Sequence, residues 1–431
     1  MGIFIILVFI VKNIFYFFFV YIQGKFVADI KEKVSKKLLN FYVTCPFPFH
    51  LNNNPAQLTR NTTNSIDGLS IYILRLVELL KESLAILVIF ILLSFVNFPI
   101  TLIIFLIFSF FGFLYLNTIR PSYKKKAKAN ENYKINLIQT INETFGAIKD
   151  IKLHNKESEI ISNYNRFRHN YEKNLFHFSI IQKIPRLLLE TMAIFIITIS
   201  ALIFFNSGYD LLAFLTILSL IVVAIVRFIP AFNSIISSIF YIRMFEPSVE
   251  IIFNEFKKIN NLKTRQAYKI QTSHEKILES ETSFITLKNI SFSYDNEANT
   301  TLKNVNIDIE KGTIVGVTGE TGAGKSTLFH IILGLLEPKS GVVLFKNQNI
   351  NLDIVNWRNQ IGYIAQNIYL LDDTIEKNIS FDFLEKEIDK ERMNFAIKMS
   401  CLQKKIFKLP DGLRTKVGND GLRLSGGEKQ R

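Results

Sequence analysis

The chain has 431 residues, 49% hydrophobic and 20% charged, with 51 Lys and Arg against 37 Asp and Glu for a formal net charge of +14. So apolar a composition excludes an ordinary two-domain soluble protein. The positive sum comes with heavy use of Ile, Asn and Phe and reads as a bias of the whole chain, so no nucleic-acid partner is expected from it.

Apolar runs crowd the chain before residue 240, and a mixed composition follows from residue 284. Two solvents are implied, lipid first and water second. A bilayer core of about 30 Å takes around 20 apolar residues per helix, which predicts five spans at 3–23, 84–97, 98–119, 184–205 and 211–232. The second and third are parted at Asn97-Phe98-Pro99, where proline can open a helix but not sit inside one. The last two flank the polar tip Asn206-Ser207-Gly208-Tyr209-Asp210. The first run, Met1 to Tyr21, lacks the basic start and small-residue cleavage site of a signal peptide, and Ile6 rules out a myristoylation motif.

Orientation follows from the loops, because Lys and Arg are retained on the cytoplasmic side. Lys25, Lys31, Lys33, Lys36, Lys37, Arg60, Arg75 and Lys81 lie between the first two spans, and Arg120 and Lys124 to Lys126 follow the third. The two short tips carry neither residue type, so both long loops are expected in the cytoplasm. Ile66, Leu69, Ile73, Leu76, Leu79 and Leu80 recur at helical spacing, so each long loop is expected to be a helical hairpin. The far ends fall near 46–60 and 143–157.

Four charges lie inside spans, where Lys or Arg costs about 2.5–3.5 kcal/mol on insertion scales. Arg186 and Glu190 are one helical turn apart and can pair. Lys12 and Arg227 have no obvious partner, so Lys12, Arg186 and Arg227 are the candidates to line a cationic cavity for an anionic substrate. Cys45 and Cys401 belong to no CxxC or His-paired cluster and read as reduced thiols.

Residues 246–283 read as a linker. From Phe284 the pattern becomes strand, turn and helix, with strands expected at Ile285–Tyr294, Val305–Ile309 and, short and buried, Thr313–Thr318. The last runs into Gly319-Glu320-Thr321-Gly322-Ala323-Gly324-Lys325-Ser326-Thr327 and an apolar helix, Leu328 to Leu336. This is G-x-x-x-x-G-K-[ST] in its strand, loop and helix context. The glycines let backbone N–H groups curl round a phosphate at a helix N-terminus. Lys325 reaches the terminal phosphates and the Ser326 hydroxyl ligates Mg2+, so ATP and Mg2+ are the expected cofactors. Gln366 follows a fourth expected strand, Ile361–Ala365, and would sit at its end facing the phosphates.

The chain closes on Leu424-Ser425-Gly426-Gly427-Glu428-Lys429-Gln430-Arg431. With the P-loop, this makes 284–431 resemble an ABC-transporter ATPase domain, whose signature reads LSGG[EQ]KQR. The fold class the resemblance implies is an all-α polytopic membrane domain, 1–245, followed by an incomplete α/β P-loop NTPase domain of ABC type. It further implies that Tyr294 stacks on adenine and that Gln366 senses Mg2+. Thr374 to Ile379 would begin a helical subdomain, and Lys416-Val417-Gly418 would precede the signature. Ser425 and Gly427 would contact the γ-phosphate held by a second half-transporter, two chains closing head to tail, and the hairpin ends resemble coupling helices. Ile184-Pro185-Arg186 to Glu190 and Arg227 to Asn233, with Lys12, are most like bacterial flippases of lipid-linked oligosaccharides.

Half-exporters of this kind have six spans, and an Asp-Glu strand after the signature carries the catalytic Glu and an Mg2+-shell Asp. The chain is therefore expected to be a piece of a longer reading frame, with its catalytic residues beyond Arg431. The leading expectation is an ATPase moving an amphipathic substrate outward through the cytoplasmic membrane of a bacterium. A multidrug or lipid exporter of the same architecture and a membrane-tethered nucleotide-binding module are the alternatives; a soluble ABC ATPase is excluded by five spans. The N-x-[ST] sites at Asn61, Asn142 and Asn299 all fall on the expected cytoplasmic side and read as chance.

Overall fold

The computed structural model describes all residues except 1, 208–210, 270–282, 295–299, 367, 382–387 and 419–423, with backbone alone at 119–124, 203–207, 211–214, 217, 260–269 and 283. The chain divides into two compact units, 1–276 and 277–431.

The first unit is helical: α1 (Gly2–Thr44), α2 (Phe47–Leu51), α3 (Pro55–Thr62), α4 (Asn64–Val96), α5 (Phe98–Gly146), α6 (Ile148–Leu153), α7 (Glu157–Ser207) and α8 (Leu211–Lys269). Among the described residues, five helices are long and apolar enough to cross a membrane. At 33 to 59 residues each, they exceed the roughly 20 that a bilayer needs and run on past it. The break at Asn97 is built as its residue type dictates: its backbone is extended, its Oδ1 accepts from the Ile100 N–H at 3.2 Å, and Pro99 takes the first turn of α5. Of the second polar tip, Gly208 to Asp210 lie outside the described residues. The short helices α2, α3 and α6 occupy the ends of the two long loops. Residues 246–269, read from sequence as linker, continue α8.

Burial inside this unit is uneven. The apolar window of α8 is 44% buried and that of α1 is 0%. Ile86, Ile104, Phe108, Leu189, Phe228 and Phe232 form the core between α4, α5, α7 and α8. In the first half of α1, side chains from Ile3 to Phe18 face outward, and since helices satisfy their own backbone groups, such a surface is suited to lipid.

In the second unit β1 (Ser283–Phe292), β2 (Leu302–Glu310), β3 (Ser340–Phe345) and β4 (Gln348–Asn349) form an antiparallel sheet in the order β2-β1-β3-β4. Its core includes Leu287, Ile290 and Leu344. The helices are α9 (Lys325–Ile332), α10 (Ile354–Asn359), α11 (Ile375–Ser380), α12 (Lys390–Met399), α13 (Gln403–Ile406) and α14 (Gly426–Gln430). Ile375, Met393, Ile397, Ile406 and Val417 make a separate small core.

Two further sequence expectations are corrected. Thr313–Thr318 and Ile361–Ala365 are not strands, and Ile314, Val315, Tyr363 and Ile364 are exposed. A short apolar run is compatible with a buried strand, but a strand also needs a neighbour to take its N–H and C=O groups. Neither segment has a ladder partner among the described residues.

Candidate nucleotide site

The P-loop is shaped by its glycines. Gly319, Gly322 and Gly324 have φ of 150°, 88° and 89°, a region that costs other residues about 1–2 kcal/mol. Gly324 is doubly constrained, since a Cβ there would stand 2.9 Å from Leu302 Cδ2 and 3.1 Å from the Thr301 carbonyl. The loop is thereby seated on the start of β2. Gly324 precedes α9 without any side-chain cap, so the first amides of that helix keep their donors for another acceptor.

Lys325 opens α9, and its ammonium donates to the carbonyls of Gly319 at 2.7 Å and Glu320 at 2.6 Å. The lysine is thus folded back over its own loop, with the Ala323 N–H donating to the Glu320 carbonyl beneath it. Thr321 and Ser326 are exposed. Thr327 is buried, and its hydroxyl shares a hydrogen bond of 3.0 Å with Tyr294 Oη. That bond brings Tyr294 to the helix that carries the loop. Phe292 meets the Tyr294 ring edge-on at 5.0 Å and leaves it half exposed.

Ser326 and Gln366 line one cavity of about 720 Å³ with Phe329, His330, Trp357 and Tyr363. Trp357 closes one side, its indole N–H donating to the Ile332 carbonyl at 2.8 Å. The structure therefore unites two residues that lie 40 positions apart in sequence.

The signature forms a capped helix start. Ser425 Oγ accepts from the Glu428 N–H at 3.3 Å, and Glu428 Oε2 accepts from the Ser425 N–H at 2.8 Å, a reciprocal capping box. Glu428 also meets Lys405 at 3.2 Å. The Ser425 N–H first, and then Lys405, hold the Glu428 carboxyl below the usual carboxylate range. Ser425, Gly426 and Gly427 remain exposed, while Leu424 packs on the small helical core. Glu428, expected from sequence to belong to the nucleotide site, has its carboxylate engaged in capping.

The three span cations are on different helices. Lys12 is exposed on α1 with its ammonium 5.4 Å from the Phe9 ring centre. Arg186 pairs with Glu190 at 2.7 Å within α7, and Arg227 is exposed on α8.

Comparison with known proteins agrees with this geometry. The description "ABC transporter transmembrane region" matches residues 1–226, more than half of the chain, and "ABC transporter" matches 302–431. The chain belongs to the ABC transporter family, with membrane region and ATP-binding domain on one polypeptide. It is 38% identical over 148 residues to an ATP-dependent lipid A-core flippase of Wigglesworthia glossinidia brevipalpis, covering 34% of this chain and 25% of that protein. A leukotoxin translocation ATP-binding protein of Mannheimia glucosida is 39% identical over 148 residues, 34% of this chain and 21% of the relative. A putative export ATP-binding/permease protein of Rickettsia typhi is 29% identical over 316 residues, 72% of this chain and 52% of its own length. The matched stretches thus span a fifth to about half of these relatives. In fold, the chain is similar to a bacterial Atm1-family ABC exporter solved with ATP bound, with a TM-score of 0.73 at 16% identity, covering 94% of this chain and 70% of that one.

Sequence reasoning did not single out Lys405 as the partner of Glu428, or Thr301 and Leu302 as the floor beneath Gly324. Nothing in the local pattern marks either contact, since each joins segments that only the folded chain brings together.

Proposed function

We propose that the chain is a subunit of an ATP-driven exporter that moves an amphipathic, anionic, lipid-linked substrate across the cytoplasmic membrane of a bacterium. The observation that carries the nucleotide part is the uncapped start of α9 behind three positive-φ glycines, with Lys325 poised above it. That arrangement fits a polyphosphate: amide donors, a helix N-terminus and one ammonium converge on a loop with no acidic group of its own except Glu320. Ser326 hydroxyl and Gln366 amide oxygens are hard donors of the kind Mg2+ takes, and they line the same cavity.

Bound Mg2+-ATP supplies the phosphoanhydride whose cleavage drives the cycle. This chain's own groups would bind and orient it. Lys325 leaves the Gly319 and Glu320 carbonyls for phosphate oxygens, a stronger charge-assisted contact. Tyr294 offers its open ring face to adenine. Ser425 and Gly427, exposed on the capped turn, meet the phosphate held by a second copy, so two chains close head to tail. Closure would draw the loop-end helices α2, α3 and α6 together and switch access across the membrane.

The lipid-linked substrate is supported by the flippase relative and by exposed cations on apolar spans, where such charges are seldom idle. The leukotoxin-translocation relative favours a second reading, export of an amphipathic cargo other than lipid. The nucleotide assignment is tested by Lys325→Ala in the full-length transporter, reconstituted. Mg2+-ATP turnover falls below a tenth of wild type; a smaller loss, under about 1.4 kcal/mol, contradicts the assignment.

A further inference from the structure

In the first unit, four polar side chains are sealed inside an apolar cluster. Asn61 is 0% exposed, Tyr42 and Glu255 are 4% and Arg60 is 5%. They form a chain of hydrogen bonds across three helices. The Arg60 guanidinium donates to Asn61 Oδ1 at 2.8 Å, Asn61 Nδ2 donates to Tyr42 Oη at 3.2 Å, and Tyr42 Oη donates to Glu255 Oε2 at 2.9 Å. Lys258, one turn along α8, donates to Glu255 Oε1 at 2.7 Å and carries the line towards solvent. Burial, first of all, pushes the Tyr42 phenol up, so its proton stays in place as a donor.

Leu38, Phe41, Ile66, Ile252 and Ile259 surround the network, and Phe49 of α2 stacks on Tyr42 with ring centres 5.9 Å apart. A purely apolar filling would hold these helices together at least as well, because burying ions is costly even when they are paired. Hydrogen bonds add one thing that apolar packing lacks, a single permitted register. The two helices so registered are α3, eight residues long and too short to be stable alone, and α8, which runs on to Lys269 near the border of the second unit.

We infer that Tyr42, Asn61 and Glu255 are positioning residues that clamp the loop-end helix α3 to the distal part of α8, so that the two move as one body when nucleotide binds. The inference rests on the nucleotide reading above and adds to it a rigid link between the first long loop and the helix that leads to the ATP-binding domain. It also accounts for Asn61, the asparagine of an N-x-T site, whose amide oxygen and nitrogen are both hydrogen-bonded.

Spin labels at Gln57→Cys on α3 and Lys257→Cys on α8, in a Cys45→Ala, Cys401→Ser background of the reconstituted transporter, report the α3–α8 distance with and without Mg-AMP-PNP. The clamp predicts one narrow distribution in both states. Tyr42→Phe leaves Asn61 and Glu255 each short of a partner, and the distribution broadens and shifts only when nucleotide is bound. Glu255→Gln keeps the acceptor and keeps the narrow distribution.

Three results overturn the clamp: a wild-type distance that changes with nucleotide, a Tyr42→Phe distribution identical to wild type in both states, or one equally broad in both. Binding of Mg-AMP-PNP, measured in the same samples, separates the two readings. If it persists in wild type while the distances disagree, the clamp alone fails; if wild type binds none, the nucleotide reading falls and the clamp's role with it.

Discussion

Gly68 of α4 and Ser248 of α8 meet with no room for a side chain between them: a Cβ on residue 68 would stand 2.4 Å from Ser248 Oγ and 2.7 Å from its Cβ. Ser248 is buried and its hydroxyl donates to Glu131 Oε1 of α5 at 3.3 Å, so three helices are tied at this crossing. Small residues permit such close approach. Gly68→Ala should therefore destabilise the first unit by about 1–3 kcal/mol through overpacking. Adding Ser248→Gly removes two of the three nearest clashes and should recover part of the loss. Thermal melting in detergent across the double-mutant cycle reads both effects, and additive losses would show that the two positions do not touch.

The adenine platform gives a second expectation. Tyr294→Ala removes a ring that is half exposed beside the P-loop and should weaken nucleotide binding by about 1–3 kcal/mol, the usual worth of one base–aromatic stack. Tyr294→Phe keeps the ring and loses only the hydrogen bond to Thr327, so it should bind nearly as wild type does. Titration with a fluorescent ATP analogue distinguishes the variants. Equal weakening in both would assign the effect to the hydroxyl.

At the signature, the Glu428 carboxyl is held below its ordinary range in the folded chain by the Ser425 N–H and Lys405. A depressed folded pKa contributes stability that is present above the unfolded value and lost as pH falls through the folded one. Acidification through that window should loosen the α14 cap, and Glu428→Gln should flatten this part of the pH dependence. Melting temperature against pH for the two proteins checks the sign. A steeper acid dependence in Glu428→Gln would refute it.

How much of this was legible beforehand depends on the range of each contact. The break at Asn97 and Pro99 was readable because a cap and a proline act on their own neighbours. The P-loop was readable because its chemistry is written in consecutive residues. Thr313–Thr318 was misread because a short apolar run names no ladder partner. Tyr42 and Glu255 stand 213 positions apart, and no periodicity in α1 or α8 marks one as the other's acceptor. The engagement of the Glu428 carboxylate in a capping box with Ser425 was local enough to be read from Ser425 and Glu428 three residues apart, but its partner Lys405 was not.

The cations of the spans give a fourth expectation, about substrate. If they contact an anionic substrate as proposed, Lys12→Gln and Arg227→Gln should each lower the flipping of a labelled anionic lipid-linked sugar while leaving basal ATP turnover near wild type, since charge-assisted contacts are strong in a low-dielectric setting. Arg186 is already paired with Glu190, so Arg186→Gln should show the smaller effect. Normal flipping at normal membrane yield in all three would return these residues to a structural role.

We propose that nucleotide at the P-loop drives outward movement of an amphipathic anion. Its most direct measurement is the flipping of a labelled anionic lipid-linked sugar in proteoliposomes, with and without Mg2+-ATP, for wild type and Lys325→Ala side by side. Movement is expected to require Mg2+-ATP in wild type and to be absent in Lys325→Ala. Movement that proceeds equally without ATP, or that survives in Lys325→Ala, would contradict it.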